Sequence, residues 1–372
     1  MQIEEIKSFI INNRYAIVKI STDSGLTGIG EGTLFTQPEA TIAIINRFQS
    51  YLLGKNPLQM DHHSRFLYRS SSFRGSAISS ALAAIDIALW DIAGKHYNAP
   101  IAHLIGGGQT REKVRMCPVI GTDEADIMAN KAKQIMKEGF TAIKIDPVPW
   151  NVHKMTSSQV IFETIKRISA VRETIGIDID LAIEIHRKLT PGPAVALAKE
   201  IEQFGVLFIE DPIQPDSIDA LAEVTKKVHV PIASGERQLS IYEFREMFAK
   251  EAVQTIKPDI GLAGGFTSCK KIAALAEAYH VEVSPHNCNS LISTTAHVQY
   301  CAGIPNFGIL EYVNDTLETD IIKEQLPIEN GYIKLPNKPG LGITFNEEYI
   351  NKASTKPSFN TTLKDDNSVG YL

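Results

Sequence analysis

The chain has 372 residues, with 37 Lys and Arg against 43 Asp and Glu, for a formal net charge of −6. That length allows one large domain, a smaller companion and a sizeable core, and the acidic balance argues against a general basic field that would hold nucleic acid. No uninterrupted apolar run reaches a membrane span, the N-terminus lacks the form of a signal peptide, and the four cysteines at 117, 269, 288 and 301 show no CxxC spacing, which predicts a reduced, cytoplasmic protein without zinc or disulfide framework.

Residues 1–112 read as a separate α+β region. Tyr15–Ile20 alternates like a strand, Asp23-Ser24-Gly25 signals a turn, and Leu26–Glu31 resumes as strand, predicting an antiparallel meander. Pro38–Leu53 carries helical periodicity at Ile42, Ile45, Phe48 and Leu52. Ser76–Lys95 is a long helix, apolar on all sides, which places it between layers. Asp86 and Asp91 inside it are expected to make structural hydrogen bonds. Gly106-Gly107-Gly108 lacks the strand and helix context of a phosphate loop and reads as a hinge.

From Val114 to about residue 311, short apolar runs alternate with helical stretches. The runs are Val114–Val119, Ala142–Ile145, Leu181–Ile185, Leu207–Ile209, Val230–Ala233, Val253–Ile256, Val281–Val283 and Phe307–Leu310. Eight strands apolar throughout argue a parallel sheet covered by helices. The size suits a closed (β/α) TIM barrel, with a doubly wound open sheet as the alternative.

In a barrel, function gathers where strands end. The second run ends Lys144-Ile145-Asp146, the third Glu184-Ile185-His186, the fourth Glu210-Asp211 and the fifth Glu236-Arg237. The sixth ends Lys257-Pro258-Asp259, the seventh Ser284-Pro285-His286 and the eighth Glu311-Tyr312. Strand alternation predicts that Glu184 and His186 point the same way. Glu184, Glu210 and Glu236 are equally spaced in sequence and are expected to converge from neighbouring strands. Three anions together need a cation, and carboxylate-only ligation favours Mg2+, then Mn2+. Asp259 is placed to fix the tautomer of His286, leaving its other nitrogen to take a proton. With His186 opposite, the set suits proton abstraction beside a metal-bound carboxylate.

These residues resemble the enolase superfamily, in its mandelate racemase/muconate lactonizing enzyme-like group, nearest to sugar-acid dehydratases of the galactonate/gluconate type. The resemblance is carried by the Ser80–Lys95 helix, Phe208-Ile209-Glu210-Asp211-Pro212, Ser234-Gly235-Glu236-Arg237, Lys257-Pro258-Asp259, Gly264-Gly265 and Ser284-Pro285-His286. It implies a (β/α)7β-type barrel over 113–320 and an α+β capping domain built from 1–112 and the segment 321–372. It also implies Glu184, Glu210 and Glu236 as Mg2+ ligands, Asp259–His286 as the base, His186 as the acid on a departing hydroxyl, and Glu311 as a partner of the substrate carboxylate. Capping loops around Gly32–Gln37 and Ser70–Gly75 are expected to close over the mouth. Lys144, Asp146, Arg237, Phe35, Thr36, Arg74 and Trp150 are the substrate-contact candidates, with Lys144 alternatively pairing with a barrel carboxylate.

Two departures stand out. Glu184 replaces the usual aspartate, and Asp146 replaces the second lysine of the Lys-x-Lys found in racemases. The resulting expectation is dehydration of an aldonate to a 2-keto-3-deoxy acid. A racemase or epimerase of a hydroxy acid and a non-catalytic metal-binding barrel are the alternatives. The family tendency is a homo-oligomer, dimer or octamer, and Pro357–Leu372 reads as a polar tail, either disordered or packed on a neighbour.

Overall fold

The computed structural model describes residues 1–108, 111–313 and 319–351, with five further positions at 363, 364, 366, 368 and 369. The polar tail expected from Pro357 lies outside the described residues apart from those five. The chain opens with an antiparallel meander of β1 (Ile3–Ile11), β2 (Tyr15–Thr22) and β3 (Thr27–Glu31). Four helices follow: α1 (Pro38–Leu52), α2 (Met60–Ser70), α3 (Ser76–His96) and α4 (Ile101–Gly106). Sequence pattern does not mark β1, α2 or α4. Gly107, in the left-handed region at φ 68, caps the end of α4.

Strand β3 lies directly on the backbone of α3. A Cβ at Gly28, Gly30 or Gly32 would sit 2.0, 2.0 and 1.9 Å from the carbonyl oxygens of Ala88, Ala84 and Ser80. Alternate glycines on one strand face thus meet carbonyls one helical turn apart. Only glycine permits this approach. By length and composition α3 could cross a membrane, against the expectation that no run reaches that length; 89% of its apolar window is buried inside the protein.

The second region alternates strand and helix: β4 (Lys113–Ile120), α5 (Ala125–Lys137), β5 (Ala142–Ile145), α6 (Ser157–Ile175), β6 (Asp180–Glu184), α7 (Pro191–Ile201), β7 (Ile209–Glu210), α8 (Ile218–Thr225), β8 (Ile232–Ser234), α9 (Ile241–Ala249), β9 (Thr255–Ile256), α10 (Gly265–Ala278), β10 (Glu282–Val283), α11 (Leu291–Gly303) and β11 (Leu310–Tyr312). Neighbours from β4 to β10 pair in parallel, and β11 pairs in parallel with β4. A parallel bridge from Val283 to Phe307 joins the last gap. The sheet is therefore a closed barrel, and the open-sheet alternative is ruled out. Helix α11 escapes sequence pattern because it is buried on every side and has no amphipathic stripe.

A hairpin of β12 (Ile328–Glu329) and β13 (Tyr332–Lys334) adds antiparallel to β4. The chain then returns to the N-terminal region, where Phe345 packs on Phe9 with ring centroids 6.0 Å apart. Three buried acids stitch the regions together. Asp91 accepts from Leu341 N (2.8 Å), Ile29 N (3.1 Å) and Lys95 Nζ (2.7 Å). Asp86 accepts from Thr267 N (2.9 Å) at the start of α10. Glu31 accepts from Ser293 N (3.2 Å) and the Ser290 hydroxyl at the start of α11. The structural role expected for both aspartates follows from backbone N–H groups: for Asp86 one that the start of α10 leaves unpaired, for Asp91 those of Ile29 in β3 and of Leu341.

Candidate active site

Strand register sets the centre of the site. Glu184 on β6 and Glu210 on β7 are direct neighbours, because both end their strands in step. Lys144 on β5 rises between them, buried at 3% exposure, with Nζ 3.1 Å from Glu184, 2.8 Å from Glu210 and 2.9 Å from Glu311. All three of its ammonium protons are thereby taken. Lys257, equally buried, adds a second cation 3.1 Å from Glu311 and 3.4 Å from Glu210. Glu236 follows β8 and pairs with Arg187 and Arg237, the latter at 3.2 Å.

The three glutamates therefore line one mouth but do not converge unaided. Among the described residues no three His, Cys, Asp or Glu side chains stand as a ready-made metal cluster. Strand spacing alone does not overcome like-charge repulsion, and each carboxylate turns to its nearest cation. Burial first, then the charge of Glu210, pushes Glu184 up to about 8. Burial opposes ionisation of Glu236 too, but His286, Arg187 and Arg237 hold it down at about 2. Glu311 is held well below the carboxylate range by Lys144 and Lys257, against the cost of burial.

Two Asp–His pairs flank this charge cluster. His286 Nδ1 lies 2.9 Å from Asp259 Oδ2, and its Nε2 lies 3.6 Å from Glu236. Asp259 is itself held by Gly261 N (2.7 Å) and Asn289 Nδ2 (3.3 Å). Burial disfavours a charged ring, yet Cys288, Glu236 and Asp259 hold His286 well above the usual histidine value. On the β5–β6 side, His186 Nδ1 lies 2.7 Å from Asp146 Oδ2. Here the alternation argument needs correcting. Strand β6 stops at Glu184, and His186 and Arg187 take left-handed backbone at φ 53 and 62. His186 reaches the mouth through a strained turn, not as the next strand residue. Its N–H donates to Glu184 Oε1 at 2.7 Å.

The other sequence candidates lie further out. Arg237 is largely exposed beside Glu236. Phe35 is exposed, with the Arg14 guanidinium 5.7 Å from its ring, and Arg14 also donates to the Cys288 carbonyl at 2.7 Å. Thr36, next to it, has φ 67. Arg74 lies 4.3 Å over Tyr68, which stacks with Tyr242 of α9 at 6.4 Å. Trp150 is exposed, 4.7 Å from the ammonium of Lys188. Sequence reading gave no role to Arg187, Lys188 or Asp211, although Arg187 and Asp211 directly follow residues that received one. Arg187 joins Asp211 (3.0 Å) to Glu236.

The family models match nearly the whole chain. Residues 8–106 match the mandelate racemase/muconate lactonizing enzyme N-terminal domain, and residues 127–349 match the enolase C-terminal domain-like model. The chain belongs to the enolase superfamily. Within it, the chain is 34% identical over 366 residues to a D-xylonate dehydratase of Haloferax volcanii, covering 94% of this chain and 88% of that one. It is 30% identical over 359 residues to a D-galactonate dehydratase of Verminephrobacter eiseniae, with 94% of each covered. A crystal structure of an enolase from Agrobacterium radiobacter, with bound Na and L-malate, superposes with a TM-score of 0.95 at 27% identity and covers all of both chains.

Enolase-superfamily members bind a divalent metal. The residues here fit such an ion on two counts. Glu210 Oε1 is buried without a hydrogen-bond partner, and Glu184 stands beside it in register on the next strand, so that two buried carboxylates face one point.

Proposed function

We propose that the chain is a Mg2+-dependent dehydratase of an aldonate. The observation that carries this is the pair of Asp–His dyads, 2.7 and 2.9 Å within each pair, flanking one buried carboxylate cluster. Glu184, Glu210 and Glu236 are the residues that would hold the metal, and their all-oxygen set suits a hard ion. When bound, Mg2+ supplies charge stabilisation to a carboxylate whose α-carbon is losing a proton.

The rest is the work of side chains. Asp259 keeps the His286 proton on Nδ1, so Nε2 takes the proton from C2. His186 gives a proton to the 3-hydroxyl, which leaves as water. The C2–H electron pair becomes the C2–C3 double bond, and the enol tautomerises to a 2-keto-3-deoxy acid. Glu311, with Lys144 and Lys257, fixes the charge balance beneath the substrate carboxylate. The N-terminal region 1–112 and the segment from 321 act as the cap; its Phe35 and Arg74, with Trp150 on the loop after β5, contact distal hydroxyls. The likeness of the two dyads favours one second reading, epimerisation at C2.

The test is a screen of aldonates and aldarates with Mg2+ for 2-keto acid formation. At least one aldonate is expected to react. If none does while an α-proton is racemised, the dehydratase reading fails.

A further inference from the structure

We propose that Asp146 and Lys188 are positioning residues that anchor the His186 ring through its Nδ1–H, so that a proton on Nε2 faces the leaving hydroxyl. This rests on the dehydratase reading and assigns work to the residue standing where racemases carry a lysine. Asp146 ends β5 and is buried at 1% exposure. Its Oδ2 receives His186 Nδ1 at 2.7 Å and Lys188 Nζ at 3.1 Å. Its Oδ1 receives Lys188 Nζ at 3.1 Å and Val148 N at 3.3 Å. Both oxygens are thus doubly occupied, which leaves Asp146 poorly suited to contact substrate.

Lys188 is also buried and donates to the Val148 carbonyl at 3.2 Å. The indole of Trp150 covers its ammonium at 4.7 Å. A buried ion pair with its remaining donors satisfied is rigid, and moving either member leaves a charge unpaired. His186 is therefore held at two points, its backbone N–H on Glu184 and its Nδ1 on Asp146. Nε2 is the ring nitrogen left to act. The Asp259–His286 dyad differs: its aspartate is held by the neutral donors Gly261 N and Asn289 Nδ2. The lysine-backed dyad serves the step that breaks C3–O, in which the Nε2 proton goes to the hydroxyl and water departs. The amide-backed dyad serves the step that breaks C2–H.

The test separates those two steps. D-galactonate and D-xylonate are followed in D2O with Mg2+, reading deuterium entry at C2 and 2-keto acid formation. Asp146→Asn is expected to slow dehydration about 100-fold while C2 exchange changes less than about threefold. Because this variant strands the Lys188 charge, the double variant Asp146→Asn/Lys188→Met, which removes both charges, is measured beside it and should show the same split. Equal loss of both rates in the double variant, or loss of neither, overturns the proposal. Ring 15N shifts of His186 give an arm that needs no turnover. The unaltered chain should show an Nδ1 proton bonded to the Asp146 carboxylate, with or without a second proton on Nε2, and the double variant should lose that bond. A ring whose Nδ1 carries no proton in the unaltered chain sinks the proposal. The expected ring state without any reaction of either aldonate supports the positioning and counts against the dehydratase reading.

Discussion

The junction between the N-terminal region and the barrel, and the mouth of the barrel, bury the same kind of residue for opposite ends. At the junction, Asp86, Asp91 and Glu31 accept mainly from backbone N–H groups fixed by helix starts and turns. At the mouth, Glu184, Glu210, Glu236 and Glu311 face Lys144, Lys257 and Arg187 from other strands. A backbone donor cannot be lent to anything else, so the junction acids are architectural. A side-chain cation can share its carboxylate with an arriving ion or substrate. Burial of an acid is thus no sign of a site by itself; the nature of its partner is.

The largest effect belongs to the mouth. His286→Asn should cut both C2 exchange and 2-keto acid formation by at least about 10³-fold, within the span known for general acid–base groups. The unfolding midpoint should stay near that of the unaltered chain, since Asn keeps a polar group toward Asp259. Deuterium exchange followed by NMR checks it, and undiminished exchange would point to a barrel that binds without catalysing. Next in size is Lys144→Met. It leaves three buried carboxylates short of their shared cation, and the cost should be about 3–5 kcal/mol, as for a broken buried pair. Urea unfolding measures this, and Mg2+ should restore more stability to the variant than it adds to the unaltered chain. If Mg2+ helps both equally, the carboxylates do not share their charge as the comparison holds.

Much of this was legible because barrels advertise their strand ends. Each of the eight apolar runs overlaps a strand, though Leu207–Ile209 and Phe307–Leu310 do so by a single residue, and Asp259 and His286 stand 2.9 Å apart after neighbouring strands. What was hidden depended on partners distant in sequence. For Lys144, pairing with a barrel carboxylate was one of two expectations, but nothing around it says that three carboxylates will share it. Nothing around Lys188 says that it will back Asp146, because the turn that brings it there depends on left-handed residues that are not glycine. The short helix α8 offers too few residues for a period, and fully buried α11 offers no contrast between faces.

The smallest effect tests the junction, and its sign can be worked out. Burial pushes Asp86 up from 3.8 to about 7, with hydrogen bonds from Thr267 only partly opposing it. Between those values the folded chain holds a proton that the unfolded chain has released. Stability from Asp86 is therefore complete below about pH 4, falls as the pH rises to about 7, and is level above that. Its Oδ1 has no hydrogen-bond partner, as suits a protonated acid. Asn copies that neutral form: its carbonyl can keep the bond from Thr267 N, and its amide takes the place of Oδ1. Asp86→Asn should be nearly neutral at pH 4 and stabilising by about 1–2 kcal/mol at pH 8, where it spares the burial of a charge. Thermal unfolding across that range reads the difference. A variant as pH-dependent as the unaltered chain would mean that Asp86 stays ionised throughout, which would make the junction electrostatically more like the mouth than the comparison allows.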